Sequence, residues 1–218
     1  RIGLLVLASD QTLERELQQL TDAVEVDLYH ARLTNETVVN AKSLAKMEEE
    51  LPVAAGLLPE YLGLNAIGYA CTSGATIIGE DRVKAILKES HPNIPSSNPL
   101  TAAKAALKAL GVERLGLLTP YTPEVTEAMQ QRFGEAGIAI TLVGSFYEEN
   151  DILVGQIDPK SILKAAVALG KSELCDGIFI SCTSLRAAGI IDEAEAELGK
   201  PVIASNHALA WHMLRLSG

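Results

Sequence analysis

Cysteine is scarce in this chain, with three in 218 residues, yet two of the three stand in the same tripeptide. Cys71-Thr72-Ser73 follows an apolar run in AIGYACTSGAT, and Cys182-Thr183-Ser184 follows another in GIFISCTSLRA, 111 residues later. A thiol at the carboxyl end of a buried parallel strand, just before a helix begins, sits where free N–H groups stabilise an anion. That anion is either the thiolate itself or a substrate carboxylate. A thiol of pKa ~8.5 is only about 3% thiolate at pH 7, and half-ionising it takes roughly 2 kcal/mol. A helix N-terminus supplies ~0.3–1 kcal/mol, rising to ~2 when partly buried. The position therefore almost suffices, and a hydroxyl from Thr72 or Thr183 adds to it. Two such corners facing one cleft suit a thiolate base or nucleophile paired with a thiol acid. A single cysteine after a strand is most simply a packing residue, and Cys175, which has no counterpart, reads that way. The duplication is what argues for chemistry.

Two matching corners need two matching scaffolds, and further echoes supply them. RIGLLVL opens at Arg1 and RLGLLTP at Arg114; IPSSNPLTAAKAAL carries Ser97-Asn98 and PVIASNHALAWHML carries Ser205-Asn206. The offsets of these landmarks are 113, 111 and 108 residues in chain order, as expected of an internal duplication with small loop deletions. Each half alternates short apolar runs with helix-period stretches. In the first, Ile2–Leu7, Val24–Tyr29 and Ala66–Ala70 read as strands, and TLERELQQL places Leu13, Leu17 and Leu20 on one helical face. In the second, Leu115–Thr119, Ile138–Val143, Gly177–Ser181 and Val202–Ala204 take those roles. A helix is expected after each cysteine tripeptide. Thr122-Pro123 and Asp158-Pro159 look like helix starts, and Gly111 and Gly170 like helix ends. This alternation predicts an α/β fold of two related lobes, each a mainly parallel sheet flanked by helices. The expected division is residues 1–97 with a returning helix at 207–218, and residues 98–206.

Apolar residues make up 48% of the chain and aromatics 4%, which fits small-residue helices on parallel strands. The net charge of −10 leaves no basic face for nucleic acid, and any anion site has to be built locally. No apolar stretch reaches membrane-spanning length and no signal-peptide pattern opens the chain. Arg1 opens directly on a strand, so an initiator Met and a short leader are expected to precede it. Three cysteines without a disulfide framework point to the reducing cytoplasm. No metal is expected: His30, His91, His207 and His212 lack ligand spacing. GxGxxG and P-loop fingerprints are missing, so a nucleotide cofactor has no support, and without CxxC neither does thiol redox chemistry. Arg32 is a candidate carboxylate clamp, read more simply as an exposed loop residue. Arg186 reads as solvated one turn into the helix after Cys182, and His207 as a cleft hydrogen-bonder.

Taken together, ACTSGAT, SCTSLR, LLTPYTPEV and PVIASNHALAWHML resemble the motifs of the aspartate/glutamate racemase superfamily, in its branch of maleate isomerases and arylmalonate decarboxylases. The resemblance runs the length of the chain. It implies two Rossmann-like lobes related by a pseudo-twofold axis, a site between them, no cofactor, and assembly as dimers or larger. It also implies catalysis by Cys71 and Cys182 on a small carboxylated substrate. Both cysteines being present favours an isomerase or racemase over a decarboxylase, which in this branch keeps only the second. By the same resemblance Tyr121 contacts the substrate and Asn150 binds a carboxylate. Gln11, in ASDQTLE, stands for an asparagine that does the same. Thr72, Ser73, Thr183 and Ser184 are expected to donate to a carboxylate. SDQTLE and SNPLTA are also similar to an ectoine-utilisation protein of this superfamily, which implies an amino-acid derivative as substrate. The alternative from another class is a non-catalytic small-molecule binder on the same scaffold.

Overall fold

The computed structural model describes residues 1–218. Its strands are β1 (Ile2–Leu7), β2 (Leu28–Leu33), β3 (Ala66–Ala70), β4 (Ser96–Ser97), β5 (Arg114–Thr119), β6 (Ala139–Ser145), β7 (Gly177–Ile180) and β8 (Val202–Ala204). Its helices are α1 (Leu13–Thr21), α2 (Ala41–Gly56), α3 (Thr72–Ile78), α4 (Glu80–Ser90), α5 (Pro99–Leu110), α6 (Pro123–Glu135), α7 (Asp151–Val154), α8 (Pro159–Gly170), α9 (Ile191–Leu198) and α10 (Ser205–Ser217).

The strands form two four-stranded sheets, ordered β2-β1-β3-β4 and β6-β5-β7-β8. Every pairing is parallel. The two orders are the same permutation, so the duplication seen in the residues is a duplication of topology. Both central strands are apolar along their middles, and buried there, because helices cover both faces. In β1, Ile2, Leu4 and Val6 pack with Leu13 and Leu17 of α1 and with Leu209 and Met213 of α10. Leu5 and Leu7 face the opposite side, which α2 covers. The last helix thus follows a strand of the second sheet but packs on the first, and α5 lies against it. The glycine of each RxGLL repeat lets a neighbour come close. A Cβ on Gly3 would lie 2.6 Å from Leu64 Cδ1, and one on Gly116 would lie 2.5 Å from Ile178 Cδ1.

Three local expectations are corrected. β2 starts at Leu28, not at Val24, because Ile2 pairs with Leu28; Val24 is exposed, and the buried residues of this strand are Ala31 and Leu33. Gly170 is the last residue of α8 and no left-handed cap; a Cβ there would meet Leu198 Cδ1 at 2.5 Å, so close packing explains the glycine. Gly111 does cap α5 in the left-handed conformation, at φ +71°. No helix follows Cys182 directly. The chain turns through residues 183–187, makes a 3-10 turn at Ala188–Ile190, and only then enters α9.

Candidate active site

Cys71 and Cys182 end equivalent strands of the two sheets, and both line one cavity. Their settings differ. Cys71 is the N-cap of α3, and its Sγ accepts the Gly74 N–H at 3.2 Å and lies 3.6 Å from Ser73 Oγ. Gly74 is needed here, since a Cβ would sit 2.1 Å from Tyr69 Oη. Cys182 instead has φ +134°, a conformation costly for a residue with a side chain and characteristic of functional sites. Its N–H donates to Ser205 Oγ at 3.0 Å, and that oxygen lies 2.8 Å from Thr72 Oγ1. One buried serine therefore ties the two cysteine corners together.

The strained turn after Cys182 is held from outside its own sheet. Thr12 Oγ1 donates to the Ser184 carbonyl at 2.8 Å. Asn206 Nδ2 donates to the Thr183 carbonyl at 2.9 Å and to Glu16 Oε2 at 2.8 Å, while Glu16 Oε1 accepts the Ala188 N–H at 3.0 Å. The two Ser-Asn echoes have thus diverged. Asn98 caps α5, accepting the Thr101 N–H at 2.9 Å, whereas Asn206 lies inside α10 and braces the turn after Cys182.

The cavity is narrow and nearly filled, about 10 Å³, room for at most one water. Its roof comes from two loops joined in antiparallel fashion. Val39 N–H donates to the Glu149 carbonyl and Asp151 N–H to the Thr37 carbonyl, both at 2.8 Å, flanking the Val38–Asn150 bridge.

Of the residues read from the sequence, Cys71, Thr72, Ser73, Tyr121, Cys182 and Thr183 line this cavity. Ser184 stands behind it, its Oγ donating to Asp151 Oδ1 at 2.8 Å. Gln11 is exposed and outside the lining. The loop after β1 folds inward through its neighbour Asp10, whose Oδ1 accepts the Thr12 and Leu13 N–H groups at 2.8 Å. Asn150 is outside it too, because its side chain is occupied as the cap of α7, accepting the Ile152 N–H at 3.0 Å. The next residue, Asp151, reaches the cavity instead. It is buried, and its carboxylate accepts from the Ser184 and Ser9 hydroxyls. Asp151, Ser9, Ser205, Asn206 and Glu16 were missed as site residues. A cap asparagine at the start of a helical turn was the one available signal, since it commits Asn150 to the backbone and leaves the following side chain free. The arginines are structural. Arg32 pairs with Glu14 at 2.9 Å and donates to the Leu7, Ala8 and Asp10 carbonyls. Arg186 donates to the Gln156 and Ile157 carbonyls. His207 borders a separate surface groove beside Trp211.

Electrostatics correct one further expectation. Burial pushes the Cys71 thiol up to about 11, outweighing the Ser73 and Gly74 donors, and the Asp151 charge acts in the same direction. Cys182 is driven up further, again first by burial and then by Asp151. A single helix N–H cannot offset full desolvation of a thiolate. Both shifts favour the protonated thiol at neutral pH. Tyr121 Oη lies beside the sulfurs, buried and near Ser181 and the Cys182 sulfur, with no well-formed hydrogen bond to either.

Residues 29–218 match the arylmalonate decarboxylase family. The chain belongs to that family. It is 23% identical over its whole length to a maleate isomerase of Alcaligenes faecalis, covering 91% of that protein. It is 31% identical to the arylmalonate decarboxylase of Bordetella bronchiseptica over 57% of the chain and 52% of the relative. Among solved structures, the Nocardia farcinica maleate cis–trans isomerase superposes with a TM-score of 0.90 at 25% identity, over 99% of this chain and 91% of that one. That structure, a cysteine-to-serine mutant, holds a covalently bound succinylcysteine intermediate. Within the family, the chain matches maleate isomerases over nearly its whole length, and one such enzyme carries a covalent intermediate on a cysteine.

Proposed function

We propose that Cys71 and Cys182 act from opposite sides on one carbon of a small carboxylated substrate, as an isomerase or racemase. The observation that carries this reading is the meeting of two cysteines, from equivalent positions of duplicated sheets, in one buried cavity. In the racemase form, one sulfur as thiolate takes the proton α to the carboxylate, and the electron pair left behind delocalises into the carboxylate. The other thiol returns a proton to the opposite face. One proton leaves, one arrives, and the sulfurs exchange protonation states. In the cis–trans form, the thiolate adds to one alkene carbon and the pair moves to its neighbour. The bond between them, now single, rotates; expulsion of the thiolate restores the double bond. Thr72, Ser73 and Thr183 hold the carboxylate with neutral donors and Tyr121 Oη supplies a further one, while Ser184 acts through Asp151. A decarboxylase reading follows from the family name, but a second cysteine in the cavity is better used by chemistry on two faces.

The test is a proton NMR time course in D₂O with maleate and L-aspartate, with Cys182→Ser as control. Conversion of the maleate vinyl signal to that of fumarate establishes isomerisation. Loss of the aspartate α-proton signal establishes racemase chemistry. Equal rates in wild type and Cys182→Ser sink the two-thiol reading.

The same reading includes a cytoplasmic setting, which three free, buried cysteines support, and a homo-oligomer, measurable by light scattering. No helix is long and apolar enough to cross a membrane. The lobe division at 97/98 with 207–218 returning is also a proposal, supported by the packing of Leu209 and Met213 on β1.

A further inference from the structure

The cavity has an unusual balance of charge. Its lining includes two carboxylates, Glu36 and Asp151, and no Lys, Arg or His. Glu36 sits at the exposed rim and is matched by Lys46. Asp151 has no cation. It is 4% exposed, makes no ion pair, and is held by neutral groups, the Ser9 and Ser184 hydroxyls. These occupy only part of a carboxylate's acceptor capacity, leaving lone pairs for another donor. Asp10 and Glu16 are buried nearby, burial pushes both carboxyls up, and neither brings a buried cation with it. No three His, Cys, Asp or Glu side chains are arranged to hold a metal ion. A buried carboxylate is ordinarily paired, and this one lacks its partner inside the protein. A second observation points to a missing ligand at the same place. Tyr121 Oη, in a residue 2% exposed, lines the cavity and has no hydrogen-bond partner.

Building on the two-thiol reading, we propose that the substrate carries an ammonium group beside its carboxylate, and that Asp151 is the specificity residue that binds it. An amino acid or amino-acid derivative fits this site, and a dicarboxylate does not. A second carboxylate would be set against Asp151 at contact distance in a desolvated cavity, where like charges repel strongly. An ammonium would supply the missing counter-charge, and the neutral donors at Thr72, Ser73 and Tyr121 remain for the carboxylate. The thiols favour the same choice. Asp151 opposes ionisation of both, and a cation that neutralises it lowers the cost of making a thiolate, while an added anion raises it. Substrate entry would thereby arm the sulfurs that the empty site keeps protonated. The chain's charge of −10 also repels a dianion from a distance but leaves a zwitterion unaffected.

The test compares ligands of similar size, L-2-aminobutyrate, L-2,4-diaminobutyrate, succinate and maleate, by thermal shift and calorimetry on wild type and on Asp151→Asn. The asparagine is isosteric and can still accept from both serines. Wild type is expected to bind the ammonium-bearing acids at least about tenfold more tightly than the dicarboxylates, and Asp151→Asn to lose or invert that ratio. Tighter binding of succinate or maleate by wild type overturns the proposal, as does binding of none of the four at millimolar concentration. An unchanged ratio in a folded Asp151→Asn also overturns it. If that variant does not fold, the wild-type ranking decides alone. The readings fail separately. Cysteine-dependent turnover of maleate refutes the ammonium subsite and leaves the two thiols. Exchange of an amino-acid α-proton that survives both Cys71→Ser and Cys182→Ser refutes the thiols and leaves the subsite.

Discussion

At the scale of single residues, the thiols and phenols of the site are kept neutral by burial. The Cys71 thiol stands at about 11, above the ordinary 9.0, and Cys182, Tyr69 and Tyr121 are raised as well, each first by desolvation. A group whose folded pKa lies above its unfolded value stabilises the fold below the unfolded value and loses that contribution as pH rises through the folded one. For Cys71 that contribution is intact below about pH 9 and is lost between pH 9 and about 11; Cys182 and the two tyrosines lose theirs over ranges that extend higher. Cys71 alone accounts for about 2–3 kcal/mol of the loss. Urea midpoints measured from pH 7 to 10.5 are expected to stay level and then drop. Cys71→Ala should flatten the drop, and an identical slope in that variant would refute the assignment. The two cysteines were legible in the sequence because a repeated tripeptide in a cysteine-poor chain is hard to produce otherwise. Their protonation state was not, because it depends on how completely the roof excludes water. The placing of Asn150 has a similar origin: which of two neighbours faces inward depends on the cap, and here the inward one is an aspartate rather than an amide.

At the scale of elements, the duplication fixed most of the fold in advance. Apolar runs of three to seven residues separated by helix-period segments, joined by the two-residue polar β4, became two sheets of one strand order. The departures fall where the two copies have diverged. The segment after Cys71 is a helix, whereas the one after Cys182 is a strained turn braced by α1 and α10. No local pattern announces this, since the braces come from residues roughly 170 and 20 positions away, Thr12 and Asn206. The divergence makes a measurable difference between two residues that look equivalent in sequence. Asn98→Ala removes one helix cap and should cost about 1 kcal/mol with little effect on turnover. Asn206→Ala strips a donor from a buried carboxylate and from the Thr183 carbonyl. It should cost about 2–3 kcal/mol and lower kcat, because the turn that carries Cys182 is no longer held. Equal stability loss and equal activity in the two variants would contradict this account.

At the scale of the whole molecule, one buried network spans both sheets. Leu5 and Leu7 of the first belong to the same core as Leu115, Leu117 and Phe179 of the second. The cavity lies within that core, and its two roof loops are joined to each other by two backbone hydrogen bonds, with Asp151 and Asn35 also tied to Ser9. The three cysteines are all buried, but behind different barriers. Cys175 is 1% exposed beneath α8, with its sulfur near the Leu169 and Ser172 carbonyls. Cys71 and Cys182 lie under the joined loops. Parting the loops exposes little surface, whereas freeing Cys175 requires the core to come apart, and the sensitivity of an opening to denaturant scales with the surface it exposes. Labelling with iodoacetamide at rising urea, read by mass spectrometry, should therefore give two behaviours. Cys71 and Cys182 label at rates nearly independent of urea below the global midpoint, and Cys175 follows the steep unfolding curve. Parallel curves for all three would rule this out. The chain thus carries its own stopwatch and its own reference clock: two sulfurs that time the breathing of the entrance, and one that times the life of the fold.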